Sequence, residues 1–177
     1  RQTGEWTYTL DNESPTVQAL SGDATRSETF TVTVTGDQGA TATQVIQVTV
    51  QGTNDAPVVT GAVTGTATED GASSTLDALS NASDVDDGAS LSVVNVPAEL
   101  PAGVSYDAAT HSFTIDPTVE AYQHLAAGQP TTVTVNYGVS DGTATTPASV
   151  SWTVTGTNDA PVVTGAVTGT ATEDGAS

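Results

Sequence analysis

The chain has 177 residues, no cysteine, and 21 Asp and Glu against 2 Lys and Arg, which gives a formal net charge of -19. The lack of cysteine excludes a disulfide framework and thiol chemistry, and so acidic a surface repels nucleic acid and anionic membranes. No stretch resembles a signal peptide or an apolar span suited to direct membrane insertion.

An internal repeat organises the chain. Residues 52–73 recur letter for letter at residues 156–177, which is 104 residues later. This frame predicts the C-terminal half of an upstream repeat at 1–57, one complete repeat module at 58–161, and the first strand of the next repeat at 162–177. A period near 104 is the size of an Ig-like sandwich and is too long for a solenoid. We therefore predict an all-β protein of Greek-key β-sandwich modules in tandem.

The strands are predicted by apolar residues that alternate with polar ones at a period of two. In chain order, the alternating runs are residues 30–34, 46–50, 91–96, 133–139 and 150–154. The run at 91–96 contains an irregularity, because Leu91 and Val93 are followed by Val96 instead of an apolar residue at position 95.

Three further features concern turns and breaks in the strands. Gly61 and Gly65 interrupt the first strand of the complete module, which indicates a bulge or a strand that changes sheets. A polar turn inside residues 106–113 predicts a hairpin. Residues 117–125 favour a short turn of helix opened by their proline, with Val119, Tyr122 and Leu125 on one side.

Carboxylates gather in the predicted turns and at the ends of strands. They lie in the linker, after the first strand, between strands, and singly where strands end: Asn54-Asp55 and its copy Asn158-Asp159, Glu69-Asp70, Asp84-Val85-Asp86-Asp87, and Asp11, Asp37, Asp116 and Asp141. Ca²⁺ takes six to eight oxygens from carboxylates, amides and carbonyls, and Asp-x-Asp in extended backbone directs two carboxylates to one side. Asn-Asp and Asp-Gly are also ordinary turn formers, and acidic charge also keeps a secreted or halophilic protein soluble. Recurrence of these groups at the module junctions favours calcium.

The linker run Gly52-Thr53-Asn54-Asp55-Ala56-Pro57-Val58 resembles the junction signature of VCBS-type repeats and related cadherin-like modules in large bacterial surface adhesins of the RTX and biofilm-associated type. The likeness extends over the full period and is also strong at residues 140–144. The stretch 113–125, with its acids Asp116 and Glu120, is similar to a cadherin stretch that ends in an acidic pair before a tyrosine. The resemblance implies a cadherin-like fold in which Ca²⁺ is clamped at each linker by acids from both neighbouring domains.

Carried onto this chain, the resemblance implies two calcium-binding junctions. The first junction would use Asp11, Glu13, Asn54, Asp55, Asp84, Asp86 and Asp141. The second junction would use Glu69, Asp70, Asp116, Glu120, Asn158 and Asp159. The downstream partners of the second junction would lie beyond Ser177, so we expect it to be the weaker site.

The resemblance implies a structural extender, or stalk repeat, of a secreted adhesin at the bacterial cell surface, stiffened by Ca²⁺ at its junctions. Its expected partners are calcium ions and neighbouring repeats of the same chain, with homotypic or strand-donating contacts in trans as a further possibility. The alternative is a carbohydrate- or surface-binding adhesive module, which would need an exposed aromatic cluster or an apolar cleft.

A catalytic role is not expected. Catalysis requires a nucleophile and base, or an acid and base, in a cleft that excludes water. His111 and His124 are instead expected at the surface, and the acidic pairs lie where linker turns belong. Trp6 and Trp152 alternate with apolar residues, which predicts that both are core residues and not a sugar-stacking platform.

Overall fold

The computed structural model describes residues 4–170 and Glu173, and it confirms the all-β prediction. The elements, in chain order, are α1 (Pro15–Gln18), β1 (Thr25–Thr35), β2 (Thr41–Gln51), β3 (Val58–Val59), β4 (Val63–Thr68), β5 (Ser74–Asp77), β6 (Ala82–Ser83), β7 (Ser92–Val94), β8 (Val104–Asp107), β9 (Ser112–Ile115), β10 (Pro130–Ser140) and β11 (Thr145–Thr155). Within this part of the chain, no helix has the length and apolar character needed to cross a membrane.

Strands β3 to β11 form a two-layer sandwich. The larger sheet has the order β4-β11-β10-β7, and the smaller has the order β5-β9-β8, while β3 pairs with β6. The β4–β11 pair is parallel, and the other pairs are antiparallel. The predicted hairpin at residues 106–113 is confirmed as β8 and β9. The predicted irregularity after β7 is also present, because Asn95 adopts a φ of 56°.

The core lies between the two sheets, where the alternating apolar residues meet. Trp152 of β11 and Phe113 of β9 are completely buried. The ring of Phe113 lies 5.3 Å from the ring of Tyr137 on β10, so aromatic packing joins the two layers. The core position predicted for Trp152 is therefore confirmed.

Residues 117–125 close one side of the core, although the predicted turn of helix is wrong. Successive turns occupy the segment, and the N–H groups of Tyr122 and Leu125 donate to the carbonyls of Val119 and Tyr122, three residues earlier. This three-residue bonding aligns residues spaced by three. Tyr122 and Leu125 are therefore buried on one side, with Val119 packed against them.

The first strand of the sandwich changes sheets, as its glycines indicated. Residues before Gly61 pair with β6, and residues after it pair with β11. Gly61 adopts a φ of 149°, which L side chains rarely adopt. Gly65 permits a close approach, because a Cβ there would lie 3.1 Å from Leu76 Cδ2 and 3.2 Å from Trp152 Cδ1.

The hairpin β1–β2 reproduces the hairpin β10–β11. Each of the four strands has eleven residues, and the one-residue difference between the copies falls in the connections, 36–40 and 141–144. A glycine ends each hairpin, Gly52 after β2 and Gly156 after β11. A Cβ on either glycine would overlap a carbonyl oxygen of the turn segment that lies before the first strand of its hairpin. The module boundaries at 57/58 and 161/162 stay predictions.

Trp6 does not lie in a core. It is 53% exposed, and the apolar residues of β1 are also exposed, with Phe30 at 42% and Val34 at 63%. The core prediction for Trp6 is wrong because, among residues 4–170 and Glu173, no second sheet covers the apolar face of β1–β2.

Replacement of Tyr137 by phenylalanine is expected to lower the free energy of unfolding by about 1–3 kcal/mol, because its hydroxyl donates a 2.6 Å hydrogen bond to the buried carbonyl of Ala78. Burial, followed by the charge of Asp77, raises the pKa of Tyr137 to about 12 from the ordinary value of 10.0. The folded state thus favours the neutral phenol. The contribution of this pKa shift to the free energy of unfolding is complete below pH 10 and is lost as the pH rises through 12. Urea unfolding between pH 7 and pH 12 is expected to show a smaller alkaline loss in Tyr137→Phe, and an equal loss would contradict this assignment.

Candidate metal centre

The linker after β2 meets two turns of the sandwich. The side-chain amide of Asn54 donates to Asp141 Oδ2 at 3.0 Å, just after the end of β10. The backbone N–H of Asp55 donates to Asp86 Oδ2 at 2.9 Å, in the loop between β6 and β7. The N–H of Asp86 in turn donates to Asp84 Oδ1 at 2.9 Å. Five residues predicted for the first junction are thus brought together by the structure.

Two carboxylate oxygens in this group are buried without a hydrogen-bond partner. They are Asp84 Oδ2 and Asp86 Oδ1, and the Asp86 side chain is only 8% exposed. Burial of an unpaired anionic oxygen is costly. Asp86 lines an open cavity of about 270 Å³, as do Ser21, Asn54 and Asp141. These residues fit a hard cation, because their side chains carry the carboxylate, amide and hydroxyl oxygens that such a cation takes as ligands.

Asp141 is held as an anion by the turn that begins with it. Its Oδ1 accepts the backbone N–H groups of Ala144 at 2.7 Å and Thr143 at 2.6 Å. These bonds, and then the amide of Asn54, hold the pKa of Asp141 below its ordinary value. The carboxylate is therefore charged at neutral pH, as a calcium ligand must be.

Asp11 and Glu13 bond to one another, and no hydrogen bond among the described residues joins them to the linker. Asp11 Oδ1 accepts the N–H of Glu13 at 3.2 Å, and both side chains are exposed. The upstream segment instead reaches the site through residues 19–22. The carbonyl of Ala19 accepts the N–H of Asp87 at 2.9 Å, and Ser21 lines the cavity. No sequence signal marked Ala19 or Ser21, and the ligand roles of Asp11 and Glu13 stay predictions.

At the second junction, Glu69 is the dominant feature. It directly follows β4, is 1% exposed, and its Oε2 accepts the N–H of Thr157 at 2.7 Å. Its Oε1 is buried without a hydrogen-bond partner. Thr157 immediately precedes Asn158, so the structure joins Glu69 to the second copy of the linker.

The other residues of the second set make local contacts. Asp70 adopts a φ of 59°, and its Oδ1 accepts the side-chain amide of Gln123 at 3.0 Å. Asp116 Oδ1 accepts the N–H and the hydroxyl of Thr118, which hold the pKa of Asp116 below its ordinary value. Asn158 donates to the carbonyl of Asp159 at 3.2 Å, as Asn54 does to Asp55 at 2.8 Å. Glu120 is exposed.

Within residues 4–170 and Glu173, no three or more His, Asp or Glu side chains stand close enough to hold a metal ion by themselves. The carboxylates of the first junction instead lie beside amide and carbonyl oxygens. Ca²⁺ draws ligands from all three kinds of oxygen, so a site of mixed ligands matches the chemistry present there.

The chain matches known proteins at the level of domain family and fold. The family model described as a cadherin-like domain matches residues 53–155. Protocadherin Gamma B2 extracellular cadherin domains 1-5 align at 19% identity and a TM-score of 0.50, over 88% of this chain and 28% of that one. Mouse clustered PcdhgC3 EC1-3 aligns at 18% identity and a TM-score of 0.46, over 76% of this chain and 44% of that one.

A weaker match is an endo-fucoidan hydrolase from glycoside hydrolase family 107, at 16% identity and a TM-score of 0.35, over 74% of this chain and 19% of that one. At such identities a likeness shows the fold alone, and the lower TM-scores carry no argument. The chain spans less than half the length of each of these structures. A search of curated protein sequences finds no match.

Proposed function

Since the chain belongs to the cadherin-like domain family, a family of non-enzymatic adhesion modules, we propose that it is a structural extender in the stalk of a secreted adhesin at the bacterial cell surface. In this proposal, neighbouring repeats are its structural partners, and Ca²⁺ stiffens the junctions between them. The VCBS-type linker sequence at residues 52–58 supports the bacterial assignment, as a resemblance.

The observation that carries the proposal is a pair of buried carboxylates at opposite ends of β11, Asp86 and Glu69, each of which has one oxygen without a hydrogen-bond partner. Asp86 lies beside the turn that precedes β11, and Glu69 bonds to Thr157 just after its end. Eleven strand residues separate these ends by roughly 36 Å. An acidic junction at each end is the arrangement that a repeat in a linear array requires.

Bound Ca²⁺ supplies positive charge and six to eight coordination positions. At the first junction Asp84, Asp86, Asp141 and the amide oxygen of Asn54 would hold it, and at the second Glu69 would contribute. Without a cation, neighbouring carboxylates oppose one another. Neutralising them would hold the linker against the loops that it already contacts, which restricts its conformations and keeps neighbouring modules in line.

Small-angle X-ray scattering tests the stiffening directly. In millimolar Ca²⁺ the full chain is expected to show a larger maximum dimension and a less flexible profile than in chelator. Asp86→Asn is expected to weaken this response, because it removes the charge of a buried carboxylate at the linker. The matched control is Asp37→Asn, in the exposed β1–β2 connection, which should respond as the parent does. Identical profiles of the parent in Ca²⁺ and in chelator would contradict the proposal.

One observation favours the alternative, an adhesive module that binds carbohydrate or a surface. Trp6, Tyr8 and Phe30 line an open cavity of about 200 Å³, and the rings of Tyr8 and Phe30 are 6.0 Å apart. The repeat argues for a different role, because the position of Tyr8 corresponds to the fully buried Phe113. Glycan-array binding that is lost in Trp6→Ala would support the alternative over the stalk.

A further inference from the structure

The first strand of the sandwich, once it has changed sheets, lies beside the last strand and runs in the same direction. Strand β4 pairs in parallel with the second half of β11, over six residue pairs from Val63–Val150 to Thr68–Thr155. The hydrogen bonds of a parallel pair are evenly spaced along the strands. The chain enters the sandwich through the linker before β3 and leaves it after β11, so the two linkers lead to opposite ends of this pair.

A pull on the two linkers therefore slides β4 along β11. Tension in the upstream linker draws β4 toward its own N-terminal end, and tension in the downstream linker draws β11 toward its C-terminal end. Because the strands are parallel, these movements are opposite and lie along the strand axis. All six residue pairs are loaded at once in this direction, whereas strands that are pulled apart from one end release their pairs one after another.

Hydrogen bonds hold the first strand before β4 begins. The hydroxyl of Thr146, near the start of β11, donates to the carbonyl of Pro57 at 2.6 Å, across 89 residues of sequence. At the change of sheets that follows, the carbonyl of Asn81 accepts the N–H of Thr60 at 3.0 Å, and its side-chain amide donates to the carbonyl of Ala62 at 3.1 Å. Tension from the upstream linker reaches these bonds before it reaches β4.

A second group of hydrogen bonds joins the far ends of the two strands. The N–H of Glu69 donates to the carbonyl of Thr155 at 2.9 Å, which extends the pairing beyond β4. Glu69 Oε2 accepts the N–H of Thr157 at 2.7 Å, and the Glu69 side chain is buried. Hydrogen bonds to an ionised acceptor are stronger than those between neutral groups. The pair is therefore tied at both of its ends.

The contact between Gly65 and Trp152 fixes the register of the pair. A Cβ at position 65 would lie 3.2 Å from Trp152 Cδ1 and 3.1 Å from Leu76 Cδ2, which is closer than most side chains approach. Side chains return to the same face of a strand at every second residue, so a slip of two residues under tension moves Ala67 into the place of Gly65. The methyl group of Ala67 then meets both side chains, and β4 slides only if the core gives way.

We propose that β4 and β11, with the ties at Thr146 and Glu69, form a tension clamp that keeps the sandwich folded when its two linkers are pulled apart. This role rests on the proposed function, since a stalk repeat carries load through its linkers. The mechanical property itself follows from the strand order and register, and it is measurable on the chain alone. We expect the sandwich to be strong along the axis of this pair and weak across it.

Single-molecule force spectroscopy of the full chain tests the clamp, because a chain without cysteine can be attached through introduced cysteines. Handles at Ala56→Cys and Ala160→Cys occupy equivalent, exposed positions of the two linkers and load the pair along its axis. Handles at Ala72→Cys and Ala160→Cys follow the C-terminal ends of β4 and β11, and they separate the strands from that end. At one pulling speed, we expect a severalfold higher unfolding force between the linker handles.

Thr146→Val tests the tie at the start of β11. Valine keeps the shape of the side chain but cannot donate to the carbonyl of Pro57. We expect a lower unfolding force between the linker handles and an unchanged force between the handles at positions 72 and 160. The matched control is Thr153→Val, an exposed position of the same strand, which should be as strong as the parent in both directions. Urea unfolding establishes that each variant is folded.

Equal unfolding forces for the two pairs of handles would overturn the proposal. So would a Thr146→Val chain that is as strong as the parent between the linker handles. All forces are measured in chelator, so the clamp is tested without Ca²⁺. Identical scattering profiles in Ca²⁺ and in chelator would contradict the stiffening of the stalk, but they would leave the difference between the two pulling directions unchanged.

Discussion

Replacement of Trp152 by alanine is expected to lower the free energy of unfolding by about 3–5 kcal/mol, the usual cost of removing a large aromatic side chain from a core. Trp152 is completely buried in the middle of β11, between β10 and β4. Its Cδ1 packs over Gly65, where a Cβ would lie only 3.2 Å away, so the ring fills the space that the missing side chain of Gly65 leaves. Urea unfolding followed by circular dichroism measures the change.

The matched control for Trp152→Ala is Thr153→Ala, one residue later in the same strand. Thr153 points to solvent, and exposed substitutions usually change stability by less than about 0.5 kcal/mol. If both variants lose the same stability, the alternation of β11 between core and solvent is wrong. A loss of less than about 1 kcal/mol in Trp152→Ala would mean that the two sheets are not packed together in solution.

Calcium at one hundred times its dissociation constant is expected to raise the free energy of unfolding by about 2.7 kcal/mol for each site that is bound only in the folded state. Extracellular calcium modules bind at about 10⁻⁴–10⁻³ M, so ~10 mM Ca²⁺ approaches this condition. The physical reason is relief of the buried, unpartnered oxygens of Asp84, Asp86 and Glu69. Thermal unfolding in Ca²⁺ and in chelator measures the difference.

Glu69→Gln separates the charge of this carboxylate from its hydrogen bond. The glutamine oxygen can still accept the N–H of Thr157, but the anionic charge is lost. We expect this variant to gain less stability from Ca²⁺ than the parent and to lose less in chelator. Glu99→Gln is the matched control, because Glu99 is exposed between β7 and β8. An equal calcium increment in both variants would exclude Glu69 from the site.

The site was only partly predictable, because calcium ligands that are distant in sequence must be brought together by the fold. Asn54 contacts Asp141 across 87 residues, and Glu69 contacts Thr157 across 88. Residue types and local turns identified these as candidates, but they did not show that Glu69 would be buried. Local chemistry also decided the surroundings of Asp116, whose carboxylate accepts the hydroxyl and N–H of Thr118 two residues away.

The sequence by itself determined the strands with regular apolar alternation and the repeat, because both are local or periodic properties of the chain. Apolar alternation at a period of two places Val133, Val135 and Tyr137 on one face wherever the strand lies. Tertiary structure alone decided which faces are covered. Trp6 and Trp152 show the same alternation, yet one is 53% exposed and the other is buried. The physical reason is that burial requires a second sheet, and within the described residues that sheet packs on β10–β11 and not on β1–β2.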